Sequence, residues 1–224
     1  MSGISTGATV SLHTSTSLQI QGLKGEGYAD DNVWIIKAHH PFDMPQSIPF
    51  NSNKVVCCVR NPLDVFISFA SLTNTMNHSA QPEWSYHKDY PEWWDWWVKN
   101  CADNHRQYFD HLIKDCSEQG KNPIHFCRFE DLLAQPEKEL TDMFKFLLEV
   151  DDLAGTNAER RIQETIALGA KATQTYSLKK DTGKFNANAV KYTDAQIEYI
   201  KEANANLLYF FGYTNHPDQT MNTA

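Results

Sequence analysis

Arg60 and Ser68 stand eight residues apart in the stretch Val55-Val56-Cys57-Cys58-Val59-Arg60-Asn61-Pro62-Leu63-Asp64-Val65-Phe66-Ile67-Ser68. The apolar, β-branched run before Arg60 reads as a strand, and Pro62 opens a helix. An Arg leaving a strand, with a hydroxyl one to two helical turns further on, can grip one phosphate from two sides, because guanidinium is a rigid fork of donors. A second apolar run, Val33-Trp34-Ile35-Ile36, ends in Lys37-Ala38-His39-His40-Pro41. Ligands of open α/β sheets collect beyond the carboxyl ends of the strands, so both strand ends are candidate chemistry.

Each of these residues also has a plain structural reading. Arg60 can bridge to Asp64 one helical turn on, Ser68 can bond a backbone carbonyl, and Lys37 can be a solvated strand-end charge. His39 can be a hydrogen-bonded structural histidine, and His40 reads that way first. Glu130 and Asp131, after a third apolar run at Ile124-His125-Phe126-Cys127, read as caps that orient the next helix rather than as an acid/base pair. Trp93, Trp94, Trp96 and Trp97 offer an aromatic surface, but four indoles so spaced cannot share one helix face, so some belong to the core.

The elements that must position these groups follow from periodicity. Strands at 33–36, 55–59 and 124–127 alternate with helices from Pro62 to about Leu72 and from about Trp93 to Cys116, the pattern of a layered α/β sheet with crossover helices. Pro136 suits a first helical position ahead of Leu140, Met143, Phe144 and Leu147. Thr156-x-x-Glu159 and Thr193-x-x-Gln196 read as capping boxes, the second leading a helix through Ile197, Ile200, Leu207, Leu208 and Phe211. Between the last two helices, Lys171 to Lys191 is longer than an ordinary connection and reads as a functional loop. Residues 1–213 read as one domain, and 214–224 as a mobile tail.

Composition narrows the class. The 224 residues carry a formal net charge of -8, which disfavours a general nucleic-acid binder. No apolar stretch approaches the roughly 20 residues needed to span a bilayer, and the first ten residues lack the features of a signal peptide, so the chain as written reads as soluble. The five cysteines form no C-x-x-C pair. Cys57, Cys58 and Cys127 lie in apolar runs and read as buried thiols.

The paired motifs "IKAHHPF" and "VVCCVRNPLDVFIS" resemble sulfotransferases that use 3′-phosphoadenosine 5′-phosphosulfate (PAPS), where a K-T-H-x-P strand end precedes an R-N-P-x-D-x-x-x-S unit. "HFCRFEDLLAQPEKELTDMFKFLLEV" is similar to the family's next strand and helix. The aromatic run "YPEWWDWWVKN" and the opening "SGISTGA" are closest to the sulfotransferase-like domain of WSC-domain proteins and their protist relatives. The resemblance implies an α/β fold with a three-layer parallel sheet flanked by helices. It implies His39 as the general base on the acceptor and Lys37 as the cation that offsets charge on the transferring sulfuryl group. Arg60 and Ser68 would hold the nucleotide's 3′-phosphate. Lys179 and Lys180 fall where the family has an Arg-Lys-Gly loop, with Asp181 in place of the Gly, and Ala38 stands at the usual Thr. A general base with an unperturbed pKa near about 6.5 and a fixed cation both suit an in-line transfer at neutral pH.

Family members begin with a strand and a P-K/R-S-G-T/N-T loop that cradles the 5′-phosphosulfate. Here Met1-Ser2-Gly3 aligns with the end of the helix after that loop, and Gly3-Ile4-Ser5-Thr6-Gly7 lacks both a basic residue and a preceding apolar strand. The expectation is therefore a domain lacking its first strand and phosphate-binding loop. Two functions follow from the resemblance: sulfuryl transfer from PAPS to a hydroxyl or amine, with no metal, or an inactive structural subunit whose open sheet edge a protein partner covers. The compartment stays open, with the Golgi lumen one outcome if an anchor precedes these residues. A P-loop kinase would require G-x-x-x-x-G-K-[ST], which the sequence lacks.

Overall fold

A computed structural model describes residues 6–8, 19–20, 22, 24–31, 33–38, 51–75, 85–114, 122–168 and 188–214. The chain divides into two compact units, Met1–Asn53 and Lys54–Ala224.

In the first unit β1 (Thr6–Ala8) runs parallel to β2 (Ile35–Lys37), with Gly7 opposite Ile36. Thr-Gly-Ala has no strand signature of its own; its pairing creates the strand. The Ala8 amide donates to the Tyr28 carbonyl at 2.9 Å. A Cβ on Gly7 would lie 1.9 Å from that carbonyl oxygen, and one on Gly25 would lie 2.0 Å from the Thr6 oxygen. Two backbone segments thus cross where side chains have no room. The strand expected at 33–36 lies instead at Ile35–Lys37, because the Val33 amide closes a turn onto the Asp30 carbonyl.

In the second unit β3 (Val55–Val59) and β4 (Ile124–Arg128) pair in parallel, from Val55 opposite Ile124 to Val59 opposite Arg128. Among the described residues the crossover holds α1 (Pro62–Thr75), α2 (Tyr86–Asp89) and α3 (Pro91–Lys114). After β4 come α4 (Phe129–Ala134), α5 (Pro136–Leu148) and α6 (Asn157–Leu168), then a 3-10 turn at Ala189–Lys191, α7 (Asp194–Ala203) and α8 (Ala205–Phe210). This is an α/β architecture, with two two-stranded parallel sheets among the described residues. No described helix is long and apolar enough to cross a membrane.

Helix α3, 24 residues and about 36 Å long, joins two cores. Its first half sets Trp94, Val98 and Ala102 against Leu63, Phe66 and Ala70 of α1 and Ile200 of α7. Its second half sets Phe109 and Leu112 against Cys57 and Val59 of β3 and Leu207, Leu208 and Phe211. The tryptophans divide as 100° per residue requires. Trp94 is 3% exposed, Trp93 and Trp97 stack half-buried at 5.3 Å, and Trp96 is 55% exposed.

Thr193 and Gln196 close a complete capping box. At α6 the Glu159 amide donates to Thr156 Oγ1, but the Glu159 carboxylate accepts from the Gly155 amide, one residue further back than a box requires. Cys57 and Cys127 are buried thiols, whereas Cys58 is exposed, because alternation turns it away from the core face that holds Cys57 and Val59. Cys116, the stretch 169–187 and the tail from 215 lie outside the described residues.

The helix expected to run unbroken to Phe211 divides at Asn204, which is 1% exposed. Its Nδ2 donates to the Ile200 carbonyl at 3.0 Å, so its Oδ1 faces His105 Nδ1 at 3.3 Å. That acceptor fixes the proton on Nδ1. Rings of Phe66 and Phe109 meet the imidazole edge-on. Burial pushes the His105 pKa down to about 4, partly countered by the Asn204 bond. The unfolded chain therefore takes up a proton before the folded one does. Stability is full above about pH 6.5 and falls toward pH 4 at up to about 1.4 kcal/mol per pH unit, roughly 3 kcal/mol at most. Urea midpoints at pH 7 and pH 5 should show this decline, and His105→Gln should flatten it.

Candidate functional site

Arg60 is the first residue beyond β3. Asn61 caps the helix that follows: its carbonyl accepts from the Asp64 and Val65 amides at 3.0 and 3.1 Å, and its Oδ1 accepts from the Leu63 amide at 3.2 Å. Pro62 then opens α1, where a missing N–H costs nothing. The adjoining strand turns at the same level, since Val59 pairs with Arg128. Arg60 and Phe129 are thus the next residues out on neighbouring strands, and the guanidinium carbon lies 4.6 Å from the ring centroid. That is a cation–π contact. Arg60 Nε is buried and has no hydrogen-bond partner among the described residues.

Glu130 and Asp131 hold this corner rather than capping α4, whose N-terminus has no side-chain cap. Glu130 Oε1 accepts from the Asn61 amide at 3.1 Å, and Oε2 accepts from the Tyr213 hydroxyl at 2.7 Å. Asp131 takes a two-pronged bond from Arg128, with Nε to Oδ2 at 2.5 Å and Nη2 to Oδ1 at 2.7 Å. The Arg128 bond holds the Asp131 carboxyl below the usual carboxylate range. Arg128 Nη1 also donates to the Phe211 carbonyl at 2.7 Å. Burial, then the bond to Glu130, pushes the Tyr213 hydroxyl up.

Asp64, 2% exposed, accepts from the backbone amide and Nδ2 of Asn188 at 3.1 and 3.2 Å, and from Asn61 Nδ2 at 3.4 Å. The Tyr192 hydroxyl donates to the Leu63 carbonyl, and Trp94 Nε1 to the Lys191 carbonyl. The chain leaving the Lys-rich stretch is therefore fastened to the start of α1. Ser68 lies exposed on the same helix.

Of the residues singled out from sequence, Arg60 stands at this corner and Ser68 lies farther along α1. Lys37 is exposed at the end of β2 in the first unit. His39, His40, Lys179 and Lys180 lie outside the described residues. Sequence reasoning did not single out Phe129, Tyr213 and Asn188. Phe129 had one available signal, its place directly after a strand end parallel to that of Arg60.

A sequence model of the sulfotransferase domain matches residues 26–184, which include the Arg60 corner, α3 and β4. The chain belongs to the sulfotransferase domain family. It is similar to Sulfotransferase 1A1 of Rattus norvegicus, 26% identical over 117 residues that make up 50% of this chain and 37% of that relative. The match thus spans little more than a third of the relative's length. No solved structure matches the chain. Within the sulfotransferase match, the arrangement at Arg60 is a cation seated on an aromatic floor, with its neighbouring backbone tied down on both strands.

Proposed function

We propose that this chain binds the 3′-phosphate of PAPS through Arg60 and Ser68 and takes part in sulfuryl transfer to a hydroxyl or amine. The observation that supports it most is Arg60 itself. A buried donor without a partner costs about 1–3 kcal/mol, a cost that a bound anion relieves by engaging the guanidinium. The flat guanidinium also suits two phosphate oxygens at once. Residues 179–180 precede Asn188, whose bonds to Asp64 bring the exit of the Lys-rich stretch to the start of α1. In this reading Lys179 and Lys180 add charge around the same phosphate.

PAPS supplies the sulfuryl group. His39 takes the proton from the acceptor hydroxyl as its oxygen attacks sulfur, and the bond from sulfur to the bridging phosphate oxygen breaks. Lys37 offsets the charge that develops on the transferring sulfuryl group, and 3′-phosphoadenosine 5′-phosphate (PAP) departs with the electron pair of the broken bond.

A second reading, an interaction subunit without turnover, draws support from the exposed Phe69, Tyr90 and Trp96 of the second unit. Calorimetric titration with PAP separates the two. The enzyme reading expects saturable binding. Arg60→Ala should weaken it by about 10- to 150-fold, the equivalent of about 1.5–3 kcal/mol for a hydrogen bond to a charged group. Absence of binding at millimolar PAP would favour the interaction subunit.

A further inference from the structure

We propose that Glu130 is a positioning residue for the Arg60 guanidinium, acting through the Asn61 backbone and the Phe129 ring, and that Tyr213 holds Glu130 in place for that task. The nucleotide consequence rests on the reading of Arg60 just given; the positioning itself does not.

The strand ladder ends at Val59 opposite Arg128. One residue further on, Arg60 lies over Phe129 at 4.6 Å. One further again, the Asn61 amide donates to Glu130 at 3.1 Å. The cation and its floor are therefore bracketed, by the ladder on one side and the Asn61–Glu130 bond on the other. That bond appears where the ladder can no longer serve, because Asn61 has already turned to cap α1. An N-cap amide points away from its own helix and needs an outside acceptor. A carboxylate supplies one that is charge-assisted. The second Glu130 oxygen is occupied by the Tyr213 hydroxyl at 2.7 Å, which fixes the carboxylate's rotation. Tyr213 is in turn held beside the corner by Arg128, whose guanidinium carbon lies 5.4 Å from its ring centroid and whose Nη1 donates to the Phe211 carbonyl. Loss of Glu130 would free the Arg60 backbone while leaving both cores intact.

The test titrates PAP into the intact chain carrying Glu130→Ala, Glu130→Gln, or Arg60→Ala with and without Glu130→Ala. Glu130→Ala is expected to weaken PAP about tenfold, about 1.4 kcal/mol. Glu130→Gln should come back to within about threefold, since its oxygen still accepts from Asn61 and its amide can donate to Tyr213. In the Arg60→Ala background Glu130→Ala should change the affinity by less than about twofold, because the group it positions is gone. An equal loss in both backgrounds overturns the proposal. Should Glu130→Ala fail to fold, Tyr213→Phe carries the same comparison: about threefold weaker PAP with Arg60 present and no change without it, a loss in both again overturning it.

A second readout needs no nucleotide. The buried Arg60 Nε–H should give a slowly exchanging NMR signal that survives Glu130→Gln and is lost in Glu130→Ala, or exchanges faster in Tyr213→Phe. A signal indifferent to Glu130→Ala and to Tyr213→Phe overturns the positioning role. If PAP fails to bind the native chain while this signal responds, the nucleotide reading falls and the positioning role stands.

Discussion

Trp94→Ala is expected to destabilise the second unit by about 3–5 kcal/mol, the range for removing a large buried aromatic. Trp94 is 3% exposed and packs in the core that α1, α3 and α7 share. Its ring stacks near Tyr86 at 6.4 Å and lies 5.4 Å from Tyr192. Its Nε1 also donates to the Lys191 carbonyl at 3.2 Å, so truncation leaves both a cavity and an unanswered acceptor. For a unit of this size the loss corresponds to a fall in Tm of roughly 6–20 °C. Trp96→Ala is the matched control: on the exposed side of the same helix it should cost less than about 0.5 kcal/mol. Differential scanning calorimetry of the two variants measures the contrast, and equal effects would contradict the packing of α3 described above.

Asp64→Ala carries the second large effect, about 2–4 kcal/mol. Among the described residues the buried carboxylate answers three donors, and its removal takes an acceptor from the Asn188 amide and side chain and from Asn61 Nδ2. It also removes a negative charge from the first turn of α1, where the helix dipole favours one. Asp64→Asn should recover about half of the loss, since its oxygen still accepts from Asn188 while its amide opposes that of Asn61. Urea unfolding orders the variants as native, Asn, Ala. A reversed order would show that the buried charge costs more than its bonds return.

Much of the second unit was readable from residue types. Val55–Val59 announces its strand through β-branching, and Pro62 announces the helix start through its fixed φ. The spread of the four tryptophans follows from helical arithmetic alone. What escaped depends on partners distant in sequence. β1 is a strand only because Ile35–Lys37 lies beside it. The break falls at Asn204, whose buried side chain bonds the Ile200 carbonyl and faces His105, a residue 99 positions away. Glu130 looks like a local cap in sequence, yet its hydrogen-bond partners are Asn61 and Tyr213, neither near it in the chain. The place of Arg60 at a strand end was legible. Its aromatic floor was not, because Phe129 reaches it only through the register of two strands.

The central claim, that the Arg60 corner reads a 3′-phosphate, is tested most directly by titrating one preparation of the intact chain with PAP and with adenosine 5′-monophosphate. The two differ only by the 3′-phosphate. A charge-assisted contact there predicts that PAP binds at least about tenfold more tightly, and that this ratio collapses toward one in Arg60→Ala. Equal affinity of the native chain for both nucleotides would contradict it.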